Sequence, residues 1–79
     1  MTLRHLKIFL AVYETGSTTA ASEVLRIAQP SVSVALKELE EHYGVVVFER
    51  FSRRLLVTEA GKELYQYAQH LVRLFDETE

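Results

Sequence analysis

Gln29, Ser31, Ser33 and Lys37 carry an amide, hydroxyls and an ammonium on one short segment, with Pro30 and Val34 between them. Such groups can read the edges of base pairs. Glutamine matches adenine, serine meets a base or a phosphate, lysine meets guanine or phosphate, and apolar carbon meets a thymine methyl. Farther along, Arg50, Arg53 and Arg54 fall within five positions. Arginine on a loop suits phosphates or a narrow minor groove. A plainer account of these arginines is a solvated turn. Other chemistries find little support. There are no cysteines, so a disulfide, a thiolate nucleophile and a cysteine zinc site are excluded. His5, His42 and His70 lack metal-ligand spacing. No carboxylate pair, nucleophile–base set or glycine-rich phosphate loop stands out. The chain therefore does not read as an enzyme, and no cofactor is expected.

These side chains need elements to hold them. Leu3, Leu6, Phe9, Leu10 and Tyr13 follow helical spacing over residues 3–15. Ile8 and Val12 widen the apolar arc beyond one face, so this helix is expected to pack on two neighbours. Gly16 can end it, and Ser17 or Thr18 can cap the next helix. Residues 18–26 form that second helix, with Ala20, Ala21, Val24 and Leu25 as its packing side. Arg26, Ile27 and Ala28 then make a turn whose isoleucine plugs the core between crossing helices. Pro30 opens a third helix, a position where its missing N–H costs nothing. Two helices joined by a three-residue turn match a helix-turn-helix.

The third helix, 30–43, is the informative one. Val32, Leu36, Leu39 and Tyr43 fall within about 60° of each other on a helical wheel. With Ala35, they form the stripe for the core. Pro30, Val34, Lys37 and Glu41 occupy the opposite face, with Ser31 and Ser33 on its flanks. Val34 is then an exposed apolar residue. Either a lone surface valine needs no explanation, or this face is built to touch something.

Residues 45–57 are β-branched and aromatic around Ser52-Arg53, which reads as a short β-hairpin without an Asn-Gly turn signal. The wing spans about 46–57. Thr58 can cap a fourth helix from Glu59 to about Asp76, with the Glu59 carboxylate at the positive end of its dipole. That helix carries a heptad-like seam of Ala60, Leu64, Tyr67, Leu71 and Leu74. A second stripe of Tyr65, Ala68, Val72 and Phe75 runs beside it. Two stripes ask for two partners, so a homodimer through Leu64, Tyr67, Leu71 and Leu74 is expected; the alternative is one broad stripe lying on the first helix. The wide arc of the first helix is expected to join that seam. The fold class is thus mainly α: a winged helix-turn-helix of three helices and a hairpin wing, followed by a long linker helix.

A chain of 79 residues buries only roughly 60% of its unfolded surface and has room for a single core. Apolar residues make up 48% and charged residues 25%, ordinary for a globular domain and unlike a disordered one. No apolar run is long enough to span a membrane, and the amino terminus lacks the order of a secretory signal. The net charge of −2 by itself argues against nucleic acid, but its distribution does not. Residues 59–79 hold five acidic and two basic side chains, whereas residues 1–58 are slightly basic. The chain stops at Asp76-Glu77-Thr78-Glu79 without a closing element, which suggests a piece of a longer protein.

Several ordered motifs resemble the amino-terminal DNA-binding domain of LysR-type transcriptional regulators. They are Leu3-x-x-Leu6-x-x-Phe9-x-x-Val12, Gly16-Ser17-x-Thr19-x-Ala21, Gln29-Pro30-Ser31-Val32-Ser33, Leu39-Glu40-Glu41-x-x-Gly44-Val45, Phe48-Glu49-Arg50 and Thr58-Glu59-Ala60-Gly61. Together they cover nearly the whole chain.

The resemblance implies a division into a winged helix-turn-helix domain, 1–58, and a linker or dimerisation helix, 59–79. Residues 18–37 match the helix-turn-helix. Gln29, Pro30 and Ser33 match positions that meet DNA, and Arg53 and Arg54 match the wing. Thr18, Ser31, Val34, Lys37 and Arg50 complete the expected DNA-contacting set. Val34 stands where the family often has arginine or glutamine, Thr18 where it often has an aromatic, and Ala28 where it often has a Ser or Thr cap. The missing cap should weaken the start of the third helix by about 1 kcal/mol. The implied partners are double-stranded DNA with an inverted-repeat operator and a second copy of the chain, with a tetramer open to a full-length protein. The setting is the bacterial cytoplasm, without a membrane. A small-molecule effector would bind a further domain that is absent here. Two other readings stand beside this one. One is a helical protein-interaction module whose arginines are merely solvated. The other is a winged helix regulator of the MarR or ModE kind.

Overall fold

The computed structural model describes residues 1–79. Its elements are α1 (Leu3–Thr15), α2 (Thr18–Leu25), α3 (Gln29–Tyr43), β1 (Phe48–Phe51), β2 (Arg54–Val57) and α4 (Glu59–Thr78). Gly16 and Gly44, at φ 75° and 69°, end α1 and α3 in the left-handed conformation, which costs glycine nothing. Ser17, not Thr18, caps α2, its hydroxyl accepting from the Ala20 amide at 3.1 Å. Arg26 takes the left-handed position after α2 at φ 57°, a conformation unfavourable for a residue with a β-carbon.

The apolar arc of α1 packs on two sides inside the domain. Leu6, Phe9 and Leu10 pack with Leu39, Val47 and Ala68. Ile8 and Val12 pack with Ala21, Val32 and Ala35 on the other side. Thus α1 stands between α4 and the α2–α3 pair. The two-neighbour expectation is borne out. Leu3, Ala11 and Tyr13 of α1 remain half-buried. Ile27 packs against the second cluster as expected.

Two stripes differ from the sequence reading. In α2 the buried residues are Thr18, Ala21 and Ser22, whereas Val24 is 68% exposed. Thr18, Ala21, Ser22 and Leu25 follow i, i+3, i+4, i+7 spacing, so the inward face is set by helix phase rather than by apolarity. Ser22 is tolerated there because its hydroxyl donates to the Thr19 carbonyl at 2.7 Å. In α3, Val32, Ala35 and Leu39 are buried, but Tyr43 is 40% exposed. The helix ends there, beyond the reach of the core.

Residues 45–47 are not strand. Val47 is fully buried, and its amide donates to Glu40 Oε2 at 2.8 Å. Pairing starts at Phe48, in the antiparallel register Phe48 with Val57 through Phe51 with Arg54. The two-residue connection, Ser52-Arg53, has φ of 47° and 69°. Both values are positive, as a type I′ turn demands, and this turn twist suits a tight hairpin. Neither residue prefers that conformation, which is why the turn carried no clear signal.

The segment Thr58-Glu59-Ala60-Gly61 joins wing to α4. The Thr58 hydroxyl accepts from the Gly61 amide at 3.0 Å and donates to the Val46 carbonyl at 2.6 Å. The Thr58 amide donates to the Val47 carbonyl at 3.0 Å. Gly61 lies directly on that carbonyl, where an added β-carbon would overlap the oxygen and press on Val57 Cγ1. From there α4 runs along α1. Ala68 is buried in the first cluster, and Tyr65 and Val72 pack against it. Tyr13 and Tyr65 stack at 3.9 Å, and the Tyr65 hydroxyl donates to Glu14 Oε2 at 3.2 Å. Burial and then the Glu14 carboxylate push the Tyr65 phenol above its ordinary pKa. No helix is long and apolar enough to cross a membrane.

The Gly61 contact is backbone on backbone and cannot be relieved by a rotamer change. Gly61→Ala should therefore destabilise the domain by about 1–3 kcal/mol. Urea unfolding would show this as a lower midpoint with an unchanged slope.

Candidate nucleic-acid interface

The amino-terminal half of α3 forms an exposed face with little apolar cover. Gln29, Pro30, Ser33, Val34 and Lys37 are exposed and Ser31 is half-buried. Val34 is 57% exposed, as the wheel required once Val32, Ala35 and Leu39 turned inward. The acidic half of the same helix is partly disarmed. Glu40 folds in to hold the Val47 amide, and Glu38 Oε1 accepts from His5 Nε2 at 2.9 Å. Ala28 has extended backbone geometry, φ −67° and ψ 142°, and caps α3 with no side chain. The positive end of the α3 dipole thus sits beside Gln29 and Ser31, favourable ground for an anion.

Arg4 was not among the residues singled out from sequence. It lines a shallow groove with Pro30, Ser31, Val34, Ala35 and Glu38. This brings a guanidinium from α1 alongside the exposed face of α3. In the sequence it is simply a polar position between Leu3 and Leu6, twenty-six residues before Pro30.

The three arginines do not form one cluster. Pairing partners project to the same side of a sheet and successive residues to opposite sides. Arg50 pairs with Leu55 and Arg54 with Phe51, so Arg50 and Arg54 lie on opposite faces of the hairpin. Arg53 sits in the turn between them. The face bearing Arg50 looks toward the body of the domain, because Phe48 and Leu55 on that face pack against the second cluster. Arg50 Nη2 reaches Thr18 Oγ1 at 3.3 Å.

Thr18 was expected among the residues meeting a partner. It is instead only 7% exposed. Its hydroxyl takes the Arg50 donor and, at 3.5 Å, Gln29 Nε2. Being the first residue of α2, after the Ser17 cap, it points back toward α3 and the wing rather than outward. Sequence spacing alone cannot show this, since Thr18, Gln29 and Arg50 are brought together only by the crossing of α2, α3 and β1.

On α4 the two stripes are separated. Tyr65, Ala68 and Val72 belong to the core side. Tyr67, Leu71 and Leu74 are 64%, 47% and 45% exposed. Leu64 reaches both sides. It packs against the core and also lines a largely apolar groove with Tyr43, Val45, Ala60, Tyr67 and Leu71. Phe75 is 43% exposed, with Lys7 Nζ 5.8 Å above its ring. Lys7 also pairs with Asp76 at 3.7 Å.

A three-helix core with a hairpin wing and a long trailing helix defines a winged helix-turn-helix module. Residues 3–62 match the model of the lysR family of bacterial regulatory helix-turn-helix proteins. The chain belongs to this family, whose members are transcriptional regulators and not enzymes. It is 37% identical over 79 residues to the RuBisCO operon transcriptional regulator of Allochromatium vinosum, covering all of this chain and 26% of that protein. It is 44% identical over 77 residues to the transcriptional regulator BenM of Acinetobacter baylyi, covering 98% of this chain and 25% of that one. The chain thus spans about a quarter of the length of the curated relatives it matches. Among solved structures, the BenM DNA-binding domain in complex with catB site 1 DNA superposes with a TM-score of 0.93 at 44% identity, covering 99% of this chain and 88% of that one. The CbnR DNA-binding domain–DNA complex gives 0.93 at 35% identity, covering 99% and 90%.

The backbone at Ala28 is already in capping geometry but lacks an oxygen. Ala28→Ser should raise stability by about 0.5–1 kcal/mol, read as a higher melting temperature in calorimetry. A decrease would mean that the cap position is filled in another way.

Proposed function

We propose that this chain is the DNA-binding domain of a LysR-type regulator and reads duplex DNA with the amino-terminal half of α3 in the major groove. The observation that carries this is the exposed face of Gln29, Pro30, Ser33, Val34 and Lys37. It lies on a backbone that superposes closely on DNA-binding domains solved with DNA. Ser31 and Arg4 flank this face. In this reading the Arg53 turn meets a phosphate or the adjoining minor groove, while Arg50 and Arg54 serve opposite faces of the wing. At the end of α4, Lys7 partly offsets Asp76 at 3.7 Å, and charges beyond ~8–10 Å from the duplex are screened at ordinary salt.

The exposed Tyr67, Leu71 and Leu74, continued by half-buried Leu64, support a homodimer through α4. Two recognition helices about one helical turn, ~34 Å, apart would match an inverted-repeat operator. The same reading puts the protein in the bacterial cytoplasm, where it regulates transcription. Effector sensing and any tetramer are assigned to parts of a longer protein beyond these residues. The alternative of a protein-interaction module leaves the amide, hydroxyl and lysine groups of the α3 face without a task. Family membership separates the chain from the MarR and ModE kinds.

Selection of bound duplexes from a random pool tests the reading directly. An enriched inverted repeat is expected, and a pool without enrichment would overturn it. Gln29→Ala should cost on the order of 1–3 kcal/mol on the selected site and relax preference at one base pair. Arg53→Ala should weaken binding to all duplexes and reduce the salt slope by about one unit for a lost phosphate contact. In sedimentation equilibrium, Leu71→Glu should shift the domain to monomer and remove cooperativity on the repeat. Unchanged association would take Leu71 out of the seam.

A further inference from the structure

We propose that the Thr18 hydroxyl is a positioning group for base readout, holding the Gln29 carboxamide and the Arg50 guanidinium together while itself staying off the duplex. The proposal rests on the DNA-binding reading above and adds to it a residue that acts from behind the surface. Thr18 is 7% exposed, and its Oγ1 lies 3.5 Å from Gln29 Nε2 and 3.3 Å from Arg50 Nη2. Helix capping does not explain this hydroxyl, because Ser17 already caps α2. Core packing does not explain it either, since a valine of the same shape would fill the volume.

The donor and acceptor inventory makes the arrangement directional. Guanidinium can only donate, so Arg50 commits one lone pair of the hydroxyl oxygen. The second lone pair accepts from the Gln29 amide nitrogen. A carboxamide has two N–H groups and one carbonyl oxygen. With one N–H turned back to Thr18, the other N–H and Oε1 remain for the groove. That is the donor–acceptor pair that matches N7 and the N6 amino group of adenine. Both bonds are long, so they bias the orientation of Gln29 rather than clamp it. The same hydroxyl joins α3 to the wing. Readout at one base pair thereby becomes coupled to the wing, through a residue in α2.

The test compares wild type, Thr18→Val, which removes the hydroxyl at constant shape, and Thr18→Ser, which keeps it. Each is titrated with the selected duplex and with duplexes changed at the one base pair where Gln29→Ala relaxes preference. Freeing a side chain of this kind is worth about 2- to 10-fold in affinity. We expect Thr18→Val to cut the discrimination at that base pair by this factor, Thr18→Ser to restore it, and Gln29→Ala to add no further loss of discrimination in the Thr18→Val background. Discrimination that survives Thr18→Val, or an equal loss on every duplex, overturns the proposal. Side-chain amide relaxation of Gln29 by NMR in the free domain gives a readout that needs no DNA. A Gln29 amide ordered in wild type and Thr18→Ser but mobile in Thr18→Val supports the hub, and equal mobility in all three overturns it. A wild type that enriches no sequence while showing the ordered amide would sink the DNA-binding reading but leave the hub standing.

Discussion

Everything in this domain leans on α1. Five of its residues, Leu6, Ile8, Phe9, Leu10 and Val12, are buried, and they face two different clusters. A small domain has room for a single core, and here that core is divided by a helix that both halves share. One half sets the distance from α1 to α2 and α3, and so the tilt of the exposed α3 face. The other half sets α4 and, through Val47, the root of the wing. A change that thinned the α1 arc would move the exposed α3 face and the trailing helix at once.

The wing is attached by the packing of Val47, Phe48 and Leu55 and, at its root, by a knot of polar and backbone contacts. Glu40 holds the Val47 amide, Thr58 holds the Val46 and Val47 carbonyls, and Gly61 rests on the Val47 carbonyl. Each of these polar groups would otherwise be costly to bury. The knot converts a flexible connection into a defined angle between hairpin and helix. It also gives the Thr-Glu-Ala-Gly string a physical meaning: a cap at its first position and a close approach at its last.

Charge is laid out along the molecule with the same economy. Arg4 lies beside the exposed face of α3 and Arg50 reaches Thr18, while Glu38 and Glu40 are engaged by His5 and the Val47 amide. Asp76, in the last turns of α4, is partly offset by Lys7 of α1 at 3.7 Å. Total charge is therefore a poor guide to what such a domain attracts, because screening makes only the near charges count.

Sequence alone determined much of this protein. The order of elements, the inward stripe of α3, the exposure of Val34, the cap at Thr58 and the double stripe of α4 follow from local rules. Periodicity, capping and turn chemistry act within a few residues and can be read from neighbours. The tertiary structure decided what those rules cannot reach. It turned Ser22 inward and Val24 outward, because the phase of α2 is set by what it packs on. It left Tyr43 beyond the core and made Val47 a core residue rather than a strand residue. The pleat split Arg50 from Arg54, and the packing of α1 on α3 placed Arg4 beside the exposed α3 face. Thr18 met Gln29 and Arg50 across eleven and thirty-two positions of sequence. Such meetings depend on the angles at which whole elements cross, and no pattern of adjacent residues encodes them.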